Sequence, residues 1–133
     1  VRMDFSGNIV EWDWDETESA WLRTAYGRDS MWEDREGESG RLSSTVLIAM
    51  YVDQYRARPP AGVSGVPVPA SRTVGSGTAF VFADGKVIEG TWERPDEESW
   101  FVIKDSAGNV VQIPAGRPWI SLVPTSGGLT YEP

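Results

Sequence analysis

The second half of the chain, residues 74–124, is a series of short apolar segments separated by turn-forming residues. These segments are rich in β-branched and aromatic residues and cover residues 74–82, 87–94, 99–104, 110–113 and 119–124. Asp-Gly, Pro and Gly clusters lie between them at short, regular intervals. Such runs, bounded by such turns, are typical of an antiparallel β-meander. The sequence therefore predicts a mainly β fold with little helix, a small sandwich or partly closed barrel of about seven to nine strands.

The first half of the chain contains two further strand patterns. Residues 9–14 alternate with period two and place Val10, Trp12 and Trp14 on one face, which predicts a half-buried strand with residues 19–26 as its hairpin partner. Residues 45–52 form the most apolar run, which suits a buried strand or a short helix, and their β-branched content and length favour a central strand. Residues 27–41 are rich in charge and glycine, so we expect an irregular loop there, attached to the core through Trp32.

A length of 133 residues suits one domain, and we expect a single β domain over residues 1–133. Residues 56–71 contain four prolines and no periodicity, which predicts a long Pro/Gly-rich internal loop at about residues 56–73. The chain begins without Met and has no signal peptide and no apolar run of transmembrane length. We therefore expect it to be excised from a larger exported protein.

The chain contains neither Cys nor His. This excludes disulfides, thiol nucleophiles, zinc sites of the Cys/His type and histidine general bases. The net charge of −8 argues against binding to nucleic acid phosphates or to an anionic lipid surface. We expect no cofactor, no metal and no nucleic acid partner, and we do not expect an enzyme.

An ordered set of motifs resembles the C-terminal domain of the YerB-type family of predicted bacterial lipoproteins, over nearly the whole chain. Upstream it includes Trp12-x-Trp14-Asp15-Glu16, Arg23, Asp34 and the apolar run Val46–Val52. Downstream it includes Gly75-x-Gly77, Asp84-Gly85-Lys86, Gly90-Thr91-Trp92, Asp105-x-x-Gly108, Pro114-x-Gly116 and Trp119-Ile120-x-Leu122-Val123-Pro124. The chain departs from the family pattern at Ser44-Thr45, where an Asn usually stands, and in a longer loop after Arg56.

The resemblance implies an extracytoplasmic location. In this family a lipidated N-terminus and an N-terminal domain precede a domain like this one, so the chain would be anchored to the membrane by a segment outside it. The resemblance also implies an N-terminal domain of the same parent as a partner. The family has no established biochemical function, and no catalytic residue carries over.

Four residues are candidates for a binding site. Arg23 and Asp34 match charged positions of the family pattern, and an Arg–Asp pair is able either to attach the 27–41 loop to the sheet or to form part of a ligand pocket. Trp32 and Trp100 have polar neighbours, unlike the other five tryptophans, most of which we expect in the core. Trp32 and Trp100 are therefore the two tryptophans to inspect for exposure.

Acidic residues give weaker candidates. The cluster Asp13, Asp15, Glu16 and Glu18 lacks the spacing of a calcium loop and predicts a solvated hairpin turn. The pairs Glu89/Glu93 and Glu11/Asp13 are candidates for the two-carboxylate arrangement of glycosidases, but Glu89 and Glu93 would share a solvated strand face.

Three functions follow from these observations. The first is a non-catalytic accessory or interaction domain of a cell-envelope lipoprotein, with its own N-terminal domain and an envelope protein or cell-wall glycan as partners. The second is a carbohydrate- or peptidoglycan-binding module that uses exposed Trp residues. The third is a carboxylate-based hydrolase.

Overall fold

The structure, a computed structural model, describes residues 1–58, 65 and 67–132, and these residues form fifteen strands and no helix. Seven strands have four residues or more: β2 (Ile9–Asp15), β3 (Ala20–Ala25), β8 (Val46–Val52), β11 (Gly75–Ala83), β12 (Lys86–Arg94), β13 (Val102–Asp105) and β14 (Pro118–Pro124). The others are β1 (Arg2–Asp4), β4 (Arg28–Asp29), β5 (Met31–Glu33), β6 (Ser39–Arg41), β7 (Ser43–Ser44), β9 (Gln54–Arg56), β10 (Pro69–Ser71) and β15 (Gly128–Thr130). The mainly β fold predicted from the sequence is confirmed.

Two larger sheets pack face to face as a sandwich, and the described residues form no closed barrel. One sheet has the order β15-β1-β2-β3-β4, with β7 also paired to β3, and the other has the order β13-β12-β11-β8-β14. Strands β5 and β6 form a small two-stranded sheet, as do β9 and β10. No helix of the described residues is long and apolar enough to cross a membrane.

Strand β8 lies at the centre of both hydrophobic cores. Leu47 and Ala49 face the other sheet and pack with Trp12, Trp21 and Phe82 between the two sheets. The alternate residues of β8 face outward and pack with strands β11, β12 and β13 in a second core; they are Val46, Ile48, Met50 and Val52. Because a strand buried on both faces has no polar face, its sequence is continuously apolar.

The last predicted strand of the meander has a different pairing from the one expected. Strand β14 pairs in parallel with β8, from Pro118 opposite Val46 to Pro124 opposite Val52. Strands β11, β12 and β13 do form an antiparallel meander. Residues 110–113, predicted as a strand, make only one bridge, between Val110 and Lys104. The chain crosses the outer face after β13 and then supplies the partner that the free edge of β8 needs for its backbone groups.

Ser44 and Thr45, which stand where the family pattern has Asn, hold the start of β14. The buried Ser44 Oγ lies 2.8 Å from the carbonyl of Val46 and 2.7 Å from that of Arg117. Thr45 Oγ1 accepts a hydrogen bond from the backbone N–H of Arg117 at 2.9 Å. These side chains bind backbone groups across 72 or 73 residues of sequence, so they fix where β14 joins the sheet.

The region expected to be an irregular loop, residues 27–41, contains β4 and a hairpin of β5 and β6. Trp32 lies opposite Gly40, and a Cβ on Gly40 would stand 3.0 Å from the indole ring. The ring of Trp32 therefore covers the backbone of its own hairpin and is not the core anchor that was predicted.

The long loop predicted at residues 56–73 is paired at its two ends. Arg56 lies opposite Pro69 and Gln54 opposite Ser71 in the β9–β10 ladder. Residues 59–64 and 66 of this loop lie outside the described residues.

Gly77 makes room for a hydrogen bond between strands. Trp92 lies opposite Gly77 and reaches past it to donate its indole N–H to the carbonyl of Tyr51 on β8 at 2.8 Å. A Cβ on Gly77 would stand 2.6 Å from that carbonyl oxygen and 2.7 Å from the indole nitrogen. A glycine in a strand interior often marks such a close approach.

We therefore expect Gly77→Ala to lower the free energy of unfolding by about 2–4 kcal/mol, because the added methyl group overpacks this contact and breaks the partly buried hydrogen bond of Trp92. Urea denaturation followed by circular dichroism measures the change. Gly128→Ala is the matched control, because a Cβ there meets nothing within 4 Å, and we expect a change within about 0.5 kcal/mol. Equal effects of the two variants would contradict this account of Gly77.

Candidate functional site

A hydrophobic groove lies on the outer face of the five-stranded sheet. We call it the outer groove, and it has two lobes that share Trp100, Phe101 and Ile120. The first lobe has a volume of about 260 Å³, and its lining consists of apolar side chains only: Ile48, Trp100, Phe101, Val102, Ile103, Val110, Val111, Ile113, Pro118 and Ile120. The second lobe, of about 210 Å³, adds Met50, Leu122, Thr73 and Arg94.

The floor of the outer groove belongs to the outward core of β8 and β13. Ile48, Met50 and Ile103 are buried members of that core. These floor residues are almost fully covered. The exposed apolar surface of the groove comes from the side chains around them: Trp100, Val102, Val110, Ile113 and Ile120.

Arg94 fixes the segment that brings Trp100 to the groove. Its guanidinium donates to the carbonyls of Ser99 and Glu97, at 2.8 and 2.5 Å, and to the hydroxyl of Thr73 at 3.0 Å. Asp96 accepts hydrogen bonds from the backbone N–H groups of Glu98 and Ser99, at 3.0 and 2.6 Å. Residues 95–99 are thereby held in one conformation without belonging to a strand.

The hydrogen bonds of Asp96 also shift its titration. The side chain of Ser99 and then its backbone N–H lower the pKa of Asp96 below the usual 3.8, because both favour the carboxylate. The side chain of Asn109 and then its backbone N–H lower the pKa of Asp105 in the same way, in the turn that leads to Val110. Both turns beside the groove are thus held by ionised aspartates.

Trp100 is the more exposed of the two candidate tryptophans. Its side chain is 77% exposed, and its ring stacks on Phe101 with centroids 5.2 Å apart and an angle of 25° between the planes. Trp32 is 45% exposed but lines neither lobe. Both tryptophans singled out in the sequence are exposed, yet only Trp100 belongs to the groove.

Arg23 and Asp34 are not paired with each other. Arg23 Nη1 donates to Ser30 Oγ at 2.7 Å, and its guanidinium lies 6.0 and 5.4 Å from the ring centroids of Trp12 and Trp119. Asp34 accepts hydrogen bonds from the backbone N–H groups of its own turn, residues 36 and 38. Among the described residues the expected Arg23–Asp34 bridge is therefore not formed, and a ligand-binding role for either residue stays a prediction.

The hairpin of β5 and β6 is attached to the sheet by a different arginine. Arg41 forms a salt bridge with Asp29 and donates to the hydroxyl of Thr24 at 3.0 Å. Arg23 adds its bond to Ser30. The attachment of this hairpin to the sheet, which the sequence suggested for an Arg23–Asp34 pair, is therefore made through other partners of Arg41 and Arg23.

The acidic candidates have structural contacts. Glu93 forms a salt bridge with Lys104 at 2.6 Å, and Glu89 is four residues away on the same strand, about 13 Å along it. A retaining glycosidase needs its two carboxyl groups about 5–5.5 Å apart. Asp15 accepts a hydrogen bond from the N–H of Glu18 at 2.9 Å in the β2–β3 turn, where a solvated turn was predicted.

A second depression, of about 610 Å³, lies beside β1 and β2. Aromatic and acidic side chains line it together: Trp12, Trp14, Trp21, Tyr131, Glu11, Asp13 and Glu132. Its mixture of flat rings and carboxylates contrasts with the apolar lining of the outer groove. Of the two surfaces, this one has the groups that a polar ligand needs.

Sequence reasoning missed the partners of Trp100 in the groove. Residues 100–103 read Trp-Phe-Val-Ile without alternation, and on a sheet with one solvated face such a run leaves some apolar side chains exposed. That signal was present in the sequence. The contribution of Ile120 was not, because it depends on the parallel pairing of β14 with β8.

The comparisons with known proteins agree with the resemblance seen in the sequence. A family model described as "Protein of unknown function (DUF3048) C-terminal domain" matches residues 1–120. The fold is similar to the crystal structure of the YerB protein from Bacillus subtilis, with a TM-score of 0.69 and 20% sequence identity. The match covers 96% of this chain and 43% of the YerB chain, so this chain spans less than half of that protein. No curated protein matches the chain.

The lowered pKa of Asp96 leads to a prediction about pH. Since the folded-state pKa lies below the usual 3.8, the turn at residues 95–99 keeps its stabilisation above about pH 4 and loses it as the pH falls through the lower folded-state value. We expect the backbone amide resonance of Ser99 to be constant from pH 7 to about pH 4 and to shift below it. In Asp96→Asn, which keeps an acceptor oxygen but cannot ionise in this range, this shift should be absent. Its persistence there would contradict the assignment to Asp96.

Proposed function

This chain belongs to the family of DUF3048 C-terminal domains, and from that premise we propose that it is a non-catalytic interaction domain of a cell-envelope lipoprotein. The observation that carries the proposal is the outer groove with Trp100 at its wall. Contiguous exposed apolar surface of this kind commonly marks a protein interaction site. Trp100 is also of the residue type that most often dominates the binding energy of protein interfaces.

The lipoprotein part of the proposal has a separate support. It depends on the resemblance of the motifs to a family of predicted lipoproteins, in which a lipidated segment precedes such a domain. On that basis the domain is extracytoplasmic, and its first partner is the N-terminal domain of the same parent. The fact that the chain spans 43% of the YerB chain is compatible with a longer parent.

The non-catalytic part is supported by the residue types available. The sequence has no Cys and no His, and Glu93 is engaged by Lys104 while Glu89 lies too far along the strand to act with it. A carboxylate-based glycosidase would require two converging carboxylates. We therefore assign no catalytic reaction to the outer groove.

Glycan binding is the second candidate function, and the depression beside β1 and β2 favours it. Sugar rings stack on aromatic faces, while their hydroxyls need hydrogen-bond partners, which the carboxylates of Glu11 and Asp13 supply beside Trp14. The first lobe of the outer groove has no polar side chain for this purpose. If the domain binds peptidoglycan fragments, Trp14 is the tryptophan that we expect to contact them.

Photo-cross-linking in the parent protein tests the interaction domain. With benzoylphenylalanine in place of Trp100, we expect adducts to another part of the parent or to a second envelope protein, because the side chain forms the wall of the groove. The same substitution at Glu16, in the β2–β3 turn, is the control. Equal adduct formation from the two positions would overturn the proposal.

Tryptophan fluorescence during titration with soluble peptidoglycan fragments tests the second candidate. Glycan binding in the depression predicts a saturable change that Trp14→Ala abolishes and Trp100→Ala preserves. Loss of the change with Trp100→Ala alone would place the glycan in the outer groove instead. A flat titration with the folded wild-type domain would remove glycan binding from consideration.

A further inference from the structure

The outer groove has a direction, because its two lobes follow each other along paired strands. Pro118, Ile120 and Leu122 line it in turn on β14, beside Ile48 and Met50 on β8. From Pro118 to Leu122 the strand advances about 13 Å, the length of about four extended residues. The groove therefore has the dimensions of a short peptide segment.

The second lobe has an acidic rim. Asp96, Glu97 and Glu98 are exposed and stand just before Ser99 and Trp100. The backbone carbonyl of Glu97 accepts from Arg94, which lines this lobe. The cation within this turn is Arg94, whose guanidinium is bound to Thr73 and to two carbonyls. The side chains of Glu97 and Glu98 make no hydrogen bond or salt bridge within the described part of the chain. The turn thus carries three carboxylates beside one guanidinium, and the carboxylates of Glu97 and Glu98 are available to a cation.

The opposite end of the outer groove has the opposite charge. Arg117 precedes Pro118, and its side chain is exposed and donates to Ser43 Oγ at 3.2 Å. Between the two ends the first lobe is entirely apolar. A segment that fits has apolar side chains along the groove and positive charge at the end near residues 95–99.

From this complementarity we infer that the outer groove binds a basic amphipathic segment of a protein, with Lys or Arg side chains opposite Glu97 and Glu98. This inference depends on the proposed interaction function and specifies the chemistry of the partner. A glycan fits poorly, because among the described residues the indole N–H of Trp100 is the one side-chain hydrogen-bonding group that lines the first lobe. An anionic membrane surface also fits poorly, because the acidic rim repels it.

Two synthetic peptides test the inference. The basic peptide is acetyl-Leu-Phe-Leu-Lys-Arg-Lys-amide, and the acidic one replaces its last three residues with Glu-Asp-Glu. We expect the basic peptide to shift the indole resonance of Trp100 and the amide of Ile120 in the isotope-labelled domain, and to bind at least about threefold more tightly than the acidic peptide at physiological salt. Equal affinity of the two peptides would overturn the inference.

Matched variants separate the groove from the general acidity of the chain. Glu97→Gln combined with Glu98→Gln should weaken the basic peptide about threefold to tenfold, while Glu16→Gln combined with Glu18→Gln, with the same change in net charge, should change it less than about twofold because salt screens distant charges. Trp100→Ala should abolish the shift at Ile120. Equal weakening by the two pairs would show non-specific attraction and overturn the inference.

The two proposals fail in different ways. If position 100 cross-links to a protein in the parent but the basic peptide does not bind, the interaction function stands and the inferred chemistry of the partner is wrong. If neither occurs, the interaction function itself fails. Binding of vesicles containing anionic lipid through Trp100, without binding of the basic peptide, would also overturn the inference in favour of a membrane surface.

Discussion

The burial of β8 on both faces and along both edges is the constraint on which the rest of the structure depends. Strand β11 covers one edge and β14 the other, so the backbone groups of β8 are paired on both sides. Leu47 and Ala49 require one covering layer, and Ile48 and Met50 on the opposite face require another. The β1–β4 sheet supplies the first layer completely. The second layer also buries Ile48 and Met50, but it leaves several of its own apolar side chains exposed.

This asymmetry explains the outer groove. No sheet or helix of the described residues lies over Ile48 and Met50; two irregular segments do so instead, fixed by Arg94 and by Asp105. These segments pack over the buried residues but leave Trp100 largely in solvent and Val110 half-exposed. The groove is therefore a direct consequence of how the second core is covered. Its charge is a local property of residues 95–99, whose acids also form the turn.

Several residues that the sequence suggested for binding serve the architecture. Arg23 lies over the rings of Trp12 and Trp119, which belong to different sheets, and so connects the two layers through cation–π contacts. Asp34 closes the turn of its own hairpin. A residue type and a family position indicate that a charged side chain is needed, but they do not show which partner it meets. Here the partner of Arg23 includes Trp119, far away in sequence, and no local pattern reveals that contact.

The sequence by itself determined the β class, the β2–β3 hairpin, the buried strand at residues 46–52 and the exposure of Trp100, because alternation, turn residues and polar neighbours are local properties. It predicted a meander as far as Pro124, since each segment was interpreted from its sequence neighbours alone. Only the tertiary structure decided that β14 joins β8 in parallel, through Ser44 and Thr45 binding the backbone at Arg117. Parallel pairing requires a crossover, and the crossover places residues 110–113 beside the groove. The groove thus depends on contacts between residues 72 or 73 positions apart, which local sequence patterns do not encode.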